Sequence, residues 1–178
     1  MTEPSIEAGT ARTAHPDVKI GHVHLKVADL DRAIAFYCGV LGFEETQRMG
    51  TGAVFLSAGG YHHRIALNTW ESRGGSPPPP GATGLYHFAI LYPTRAELAD
   101  ALRRVMAAGV PLEGASDHGV SEALYLRDPD HNGVELCWDR PRHEWPRTTD
   151  GRLAMSTRRL DLDDLLNEVK AERRERAR

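Results

Sequence analysis

Nine histidines in a chain of 178 residues are the feature of composition that most invites a chemical interpretation. Two of them, His22 and His87, stand at equivalent positions of two similar segments, GHVHLKV and LYHFAIL. Glu135 lies in NGVELCW, where it alternates with apolar residues and therefore points to the opposite face of a predicted strand. Two imidazoles and one carboxylate form the facial triad that binds non-haem Fe(II) and leaves positions open for a substrate and dioxygen.

These residues need elements that position them, and Gly21–Phe43 predicts a strand that runs into a helix. Polar residues alternate with apolar ones over Lys19–Val27, which predicts a strand with one polar face. Apolar residues then recur at helical spacing over Asp29–Leu41, with Asp29 or Asp31 as the cap. Further strands are expected at Phe43–Gln47, Ala53–Ser57 and His62–Asn68.

The same order of elements recurs in the second half of the chain. A strand is predicted at Leu85–Tyr92, and Thr94 with Glu97 forms a capping-box pattern before the next helix. Strands follow near Leu112, at Glu122–Arg127 and at Gly133–Trp138, with a tight turn in DPDHNG. Aligning His22 with His87 brings the two helices into register. We therefore predict an α+β fold of two βαβββ modules whose polar sheet faces close on each other and form a cleft.

The predicted organisation has a central domain between two extensions. Residues 1–17 are small and polar and predict a flexible tail. The domain spans residues 18–140, with modules at 18–70 and 84–140, and the linker at 71–83 contains four consecutive prolines, which favour an extended spacer. Residues 141–178 form a C-terminal extension with one short amphipathic helix and a highly charged end.

Composition excludes several classes of function. The net charge of −3 gives no electrostatic reason to expect nucleic acid or an anionic membrane as a partner. No apolar run is long enough to span a bilayer, and the first residues do not resemble a secretory signal. Cys38 and Cys137 form no CxxC pair, so a cysteine-type zinc site is not indicated and reduced thiols in a cytoplasm are expected. An open sheet edge is compatible with a homodimer.

The motif GHVHLKVADLDRAIAFYCGVLGF resembles the opening module of the vicinal oxygen chelate superfamily, and LYHFAIL through DPDHNGVELCW resembles its closing module. This superfamily includes glyoxalase I, bleomycin-resistance proteins and the type I extradiol dioxygenases. The resemblance implies an incomplete barrel around a metal cleft, and by its pattern His22, His87 and Glu135 match the metal positions. It covers about Ile20 to Trp138.

Three further features resemble the extradiol ring-cleaving dioxygenases, above all the catechol 2,3-dioxygenase-like group. His63 in FLSAGGYHHRIAL matches their catalytic histidine, Tyr125 lies ten residues before the glutamate as their active-site tyrosine does, and His118 matches a second active-site histidine. The resemblance implies Fe(II) as the metal, with Mn(II) or another divalent ion as the alternative, and a catechol-like substrate with O2. His63 would move a substrate proton, and Tyr125 and His118 would donate hydrogen bonds to substrate oxygens. Two positions depart from the pattern: His131 replaces the usual Gly or Pro, and Ser116 is atypical.

Other interpretations fit the same residues. His63 is also explained as a surface histidine, and Tyr125 and His118 as parts of the cleft wall. A glyoxalase-like isomerase or lyase is one alternative function, although RIALNT lacks the carboxylate that glyoxalase I supplies from the matching strand. A non-catalytic small-molecule-binding or resistance protein is the other, and such a protein needs no complete metal triad. The roles of His24 and His131 stay undecided.

Overall fold

The computed structural model describes residues 13–176, with side chains described as far as Val169. Its nine strands are β1 (Val23–Lys26), β2 (Glu44–Met49), β3 (Ala53–Ser57), β4 (Ile65–Asn68), β5 (Phe88–Leu91), β6 (Leu112–Asp117), β7 (Ser121–Arg127), β8 (Gly133–Asp139) and β9 (Arg158–Arg159). Its helices are α1 (Leu30–Ile34), continued by a π-helical segment (Ala35–Val40), α2 (Arg95–Ala107), a short 3-10 turn (Arg142–Glu144) and α3 (Leu162–Arg176). The predicted α+β class and the repeated order of elements are confirmed.

The first module is a sheet in the order β1-β4-β3-β2, in which β1 and β4 run parallel. Asp29 caps α1, because its side chain accepts a hydrogen bond from the Arg32 backbone N–H at 2.9 Å. The predicted single helix over 29–41 is wrong in its second half, which is π-helical. Phe36 and Tyr37 are consecutive and both buried, and the wider turn allows both side chains to reach the core.

The second module is a sheet in the order β5-β8-β7-β6-β9. Thr94 caps α2 as expected, accepting a hydrogen bond from the Glu97 backbone N–H at 3.1 Å. Leu98, Leu102 and Val105 form the buried stripe of this helix. The fifth strand, β9, was not predicted: it comes from the C-terminal extension and pairs with the end of β6.

The two modules share one hydrophobic core, and they are also joined by hydrogen bonds and an ion pair from one loop, which we call the polar latch. The loop Asp128–Gly133 contributes this latch: the Tyr37 hydroxyl donates to Asp128 Oδ2 at 2.9 Å. Asp130 Oδ1 accepts from the Ala28 backbone N–H at 2.9 Å and from the Arg32 guanidinium at 2.6 Å. The segment predicted only as a tight turn therefore connects the two modules.

Several predicted boundaries need correction. The strand expected at His62–Asn68 begins only at Ile65, so His62 and His63 lie in the loop before β4. Gly59 and Gly60 both have positive φ, which ends β3 and places that loop at the rim of the sheet. The C-terminal helix is longer than expected and runs from Leu162 to Arg176. The predicted tail lies outside the described residues up to position 12.

The expectations about a membrane span, the two thiols and a homodimer can be compared with the fold. Among the described residues, no helix is long and apolar enough to cross a membrane. Cys38 and Cys137 are both free thiols. The edge strand β2 exposes all six of its residues, and the expectation of a homodimer continues to rest on such an open edge.

Candidate metal and active site

His87 and Glu135 meet on the second module because of how β5 and β8 pair. Glu135 lies opposite Ala89 in the parallel register, and His87 is two residues before Ala89 on the same face. His87 Nε2 lies 2.8 Å from Glu135 Oε2. The Glu135 side chain is 14% exposed, so its carboxylate is largely buried, and the imidazole of His87 is its partner.

Tyr125 lies on the other side of Glu135, directly opposite it in the antiparallel pairing of β7 with β8. The Tyr125 ring centroid is 5.5 Å from that of His87. Burial, and then the negative charge of Glu135, raise the pKa of the Tyr125 hydroxyl above its ordinary value, so the hydroxyl keeps its proton at neutral pH. A cavity of about 160 Å³ opens beside His87 and Tyr125.

His118 completes this group from the hairpin between β6 and β7. Its Nε2 lies 2.8 Å from the Tyr125 hydroxyl, and its Nδ1 lies 3.1 Å from the carbonyl oxygen of Ser156. The structure thus brings His87, Glu135, Tyr125 and His118 together on one face.

His22 and His63 meet on the first module. Their ring centroids are 4.4 Å apart, and the His63 ring also packs against Phe55 in a T-shaped arrangement. Nδ1 of His63 lies 2.8 Å from Nδ1 of His62, so one of these imidazoles donates to the other. Desolvation, followed by the neighbouring imidazoles of His22 and His62, lowers the pKa of His63 below its ordinary value.

His24 shares this face but already has a protein partner. Its Nε2 lies 2.9 Å from Nδ2 of Asn68, and its ring packs against Trp70 at 5.5 Å between centroids. Because an amide NH2 donates, His24 Nε2 accepts and its imidazole is neutral there. Desolvation, and then His22, lower the pKa of His24 accordingly.

The predicted site residues therefore form two groups, one on each module. Within the described part of the chain, no cluster of three or more His, Cys, Asp or Glu side chains is close enough to hold a metal ion. The ligand set of His22, His87 and Glu135 stays a prediction, of which the structure brings His87 and Glu135 together.

Sequence reasoning missed the residues that hold these groups in place. Asp128 Oδ1 accepts the backbone N–H groups of Asp130 and Asn132, which shapes the loop that leads into β8 and Glu135. The turn residues of DPDHNG predict this turn. They do not indicate that Tyr37 of the other module donates a hydrogen bond to Asp128. Ser156 contributes a backbone carbonyl. Because every residue has one, the sequence does not indicate which carbonyl binds His118.

Comparison with known proteins decides the family. The model of the Glyoxalase/Bleomycin resistance protein/Dioxygenase superfamily matches residues 19–136. The chain belongs to this superfamily. All six predicted site residues lie within the matched range, and the C-terminal extension lies beyond it.

Two curated relatives of this chain are named as dioxygenases. It is 42% identical over 161 residues to catechol-2,3-dioxygenase of Bacillus subtilis, covering 90% of this chain and 55% of the relative. It is 34% identical over 127 residues to biphenyl-2,3-diol 1,2-dioxygenase 2 of Rhodococcus globerulus, covering 71% and 65% respectively. The chain thus spans between half and two thirds of the length of these relatives.

Solved structures confirm the fold. Lactoylglutathione lyase from Agrobacterium tumefaciens superposes with a TM-score of 0.54 at 29% identity, covering 70% of this chain and 96% of the other. A glyoxalase/dioxygenase from Nostoc punctiforme gives a TM-score of 0.57 at 20% identity, covering 75% and 100%, and at that identity the likeness concerns the fold alone.

Proposed function

We propose that this chain is an Fe(II)-dependent extradiol-type dioxygenase that cleaves a catechol-like aromatic ring with O2. The observation that carries the proposal is the contact of 2.8 Å between His87 and Glu135, with Tyr125 beside them on the same sheet face. The similarity to relatives named catechol and biphenyl-diol dioxygenases supports the same reaction class.

The donor atoms suit a hard to borderline divalent metal. Two ligands bound cis to one ion at about 2.1 Å stand about 3 Å apart, and the spacing of His87 Nε2 and Glu135 Oε2 is close to that value. His22 would be the third ligand, and Mn(II) is the alternative ion. When bound, the metal would polarise the two catechol oxygens and supply a place for dioxygen next to them.

His63 is the residue proposed to take the catechol proton. Its Nδ1 is engaged with His62, so its Nε2 is the nitrogen available to a substrate hydroxyl. That nitrogen can accept a proton only if His63 donates from Nδ1 and His62 accepts, since a neutral imidazole carries one N–H. The lowered pKa of His63 favours the neutral imidazole that a base requires.

A glyoxalase-like isomerase is the second candidate, favoured by the likeness to lactoylglutathione lyase. Strand β4, from which glyoxalase I is expected to take a further ligand, contains no carboxylate. Its polar residue, Asn68, holds His24 instead. This arrangement supports the dioxygenase over the isomerase.

The test is anaerobic reconstitution with Fe(II), followed by catechol, 3-methylcatechol or 2,3-dihydroxybiphenyl and air. We expect oxygen uptake together with the yellow absorbance of the ring-fission product. Turnover of a methylglyoxal–glutathione hemithioacetal in its place would favour the isomerase. Failure to retain metal under reducing, metal-replete conditions would favour a non-catalytic binding protein.

A further inference from the structure

The imidazole of His118 has both of its nitrogens engaged within the protein. Nε2 lies 2.8 Å from the Tyr125 hydroxyl, and Nδ1 lies 3.1 Å from the Ser156 carbonyl oxygen. The Thr157 hydroxyl stands 3.3 Å from the same Nδ1. Ser156 and Thr157 belong to the C-terminal extension, outside the residues 19–136 that the superfamily model matches.

These partners determine where the imidazole carries its proton. A carbonyl oxygen only accepts hydrogen bonds, so Nδ1 of His118 must be the donor to Ser156. A neutral imidazole has one N–H, which leaves Nε2 as an acceptor. The Tyr125 hydroxyl therefore donates to Nε2, and the oxygen of Tyr125 keeps its lone pairs as acceptors.

His118 and Ser156 are also joined by a hydrogen bond between their backbones, and strand pairing next to them holds both segments in place. The Ser156 backbone N–H donates to the His118 carbonyl oxygen at 3.1 Å. Directly after Thr157, strand β9 pairs with β6, Arg158 opposite Asp117 and Arg159 opposite Ser116. The two strands thus fix the distance between the extension and the hairpin that carries His118.

Close packing leaves the hairpin little freedom beneath the extension. Gly119 has φ +75°, and a Cβ at this position would lie 3.0 Å from Pro146 Cγ and 3.5 Å from Ser156 Oγ. Only glycine adopts this backbone without strain and also leaves the space that the extension occupies. The position of Ser156 over His118 is therefore set by direct contact.

An ionic network centred on Glu122 connects the second module to helix α3 of the extension. Arg140 donates to Asp117 and to Glu122, at 3.0 and 2.8 Å. Arg95 donates to Glu122 at 2.8 Å and also pairs with Asp164 of α3 at 2.7 Å. The Glu122 side chain is 3% exposed, so its two contacts form away from solvent and are little screened by salt, whereas the pair of Arg95 with Asp164 lies at the surface.

We propose that the C-terminal extension is a positioning element of the active site. The Ser156 carbonyl, assisted by the Thr157 hydroxyl, holds His118 with its proton on Nδ1, so that Tyr125 offers an acceptor to a substrate hydroxyl. This inference rests on the proposed function and refines it, because Tyr125 then accepts a hydrogen bond where the family resemblance implies that it donates one. The similarity to Bacillus subtilis catechol-2,3-dioxygenase, which covers 90% of this chain, takes in part of the extension as well.

The tautomer can be measured without any turnover. Long-range 1H–15N spectra of the full chain, labelled with 15N-histidine and recorded without added metal, distinguish a bare Nε2 from a bare Nδ1. Among the histidines with a protonated Nδ1 and a bare Nε2, we expect one whose signals vanish in His118→Asn. A His118 that carries its proton on Nε2 in the unmodified chain would overturn the inference.

The contribution of the extension is tested by a matched pair of variants. Ser156→Pro removes the N–H donor to His118 and constrains φ, whereas Ser156→Ala keeps both backbone groups. We expect Ser156→Pro to lower kcat for ring cleavage at least about tenfold with KM nearly unchanged, and to mix the His118 tautomers. Ser156→Ala should match the unmodified chain in both measurements.

Two further outcomes are informative. If Ser156→Pro does not fold by far-UV circular dichroism, Thr157→Val replaces it, with an expected two- to threefold loss of kcat and a smaller tautomer change. A Ser156→Pro variant that keeps the protonated Nδ1 and full kcat would refute the positioning role. If the unmodified chain cleaves no catechol, the proposed function fails while the tautomer measurement still decides the placement of the proton.

Discussion

The two modules carry similar polar faces but organise them differently. On the second module, contacts connect Glu135 through His87 and Tyr125 to His118, and they end in the C-terminal extension. On the first module, His22 and His63 touch mainly other imidazoles, and the loop that holds His63 precedes the strand. His24 is the residue of this face with a firm amide partner, Asn68.

This difference shows where preorganisation resides. A group held by neighbours with fixed hydrogen bonds loses little entropy when substrate binds, whereas loop side chains must be ordered at that moment. The second module therefore supplies the part of the proposed site that is held by hydrogen bonds, and we expect substrate binding to order the His63 loop of the first module.

The largest effect is expected for Glu135→Gln. The amide keeps the shape of the side chain but not the charge that a divalent ion requires. We expect the protein to retain less than a tenth of its iron and kcat/KM to fall about 1,000-fold, because a catalytic metal supplies several kcal/mol. Metal analysis after anaerobic reconstitution and oxygen uptake measure the two quantities.

The control for this variant is His24→Ala on the first module. His24 shares a face with His22 but is held by Asn68, so iron content should stay unchanged. Equal loss of iron in both variants would mean that the assignment of His22 over His24 is wrong.

A smaller loss is expected for His63→Ala. If Nε2 of His63 takes the substrate proton, kcat should fall about 100-fold while iron content stays intact, as for the loss of a general base. His131→Asn is the control: His131 is exposed in a turn at φ 64°, a conformation that asparagine tolerates. Full activity of His63→Ala would assign the base to another residue.

Glu122→Gln tests the anchoring of the second module and the extension. We expect the free energy of unfolding to fall by about 2 kcal/mol, less than for an isolated buried pair, because Arg95 and Arg140 each keep another carboxylate. Urea denaturation measures this change. Glu71→Gln breaks the exposed pair with Lys26 on the first module and should cost less than about 0.5 kcal/mol.

The smallest effect is expected where the two modules are latched together. Tyr37→Phe removes the hydroxyl that donates to Asp128, and it should lower the unfolding free energy by about 1 kcal/mol because Asp128 keeps its other donors. Burial, and then the charge of Asp128, raise the pKa of Tyr37 well above its ordinary value, so it remains a donor at neutral pH. Tyr61→Phe, at an exposed position, should change nothing measurable; an equal loss there would show that the latch contributes nothing.

The sequence by itself determined the modular α+β fold, the cap at Thr94 and the side chains on each polar face, and it limited the cap of α1 to Asp29 or Asp31. These features follow from local periodicity and from capping chemistry, which depend only on residues a few positions apart. Two of its errors concern boundaries: the π-helical turn after Ile34 and the late start of β4 at Ile65.

The tertiary structure alone decided which polar groups meet. His118 has its partner 38 residues away, in a carbonyl that every residue carries and that no pattern of side chains reveals. In the same way, Asp128 looked like a turn residue until Tyr37 of the other module was found to donate to it. Long-range hydrogen bonds of this kind depend on where complete elements pack, and that information lies in the folded chain rather than in any one segment.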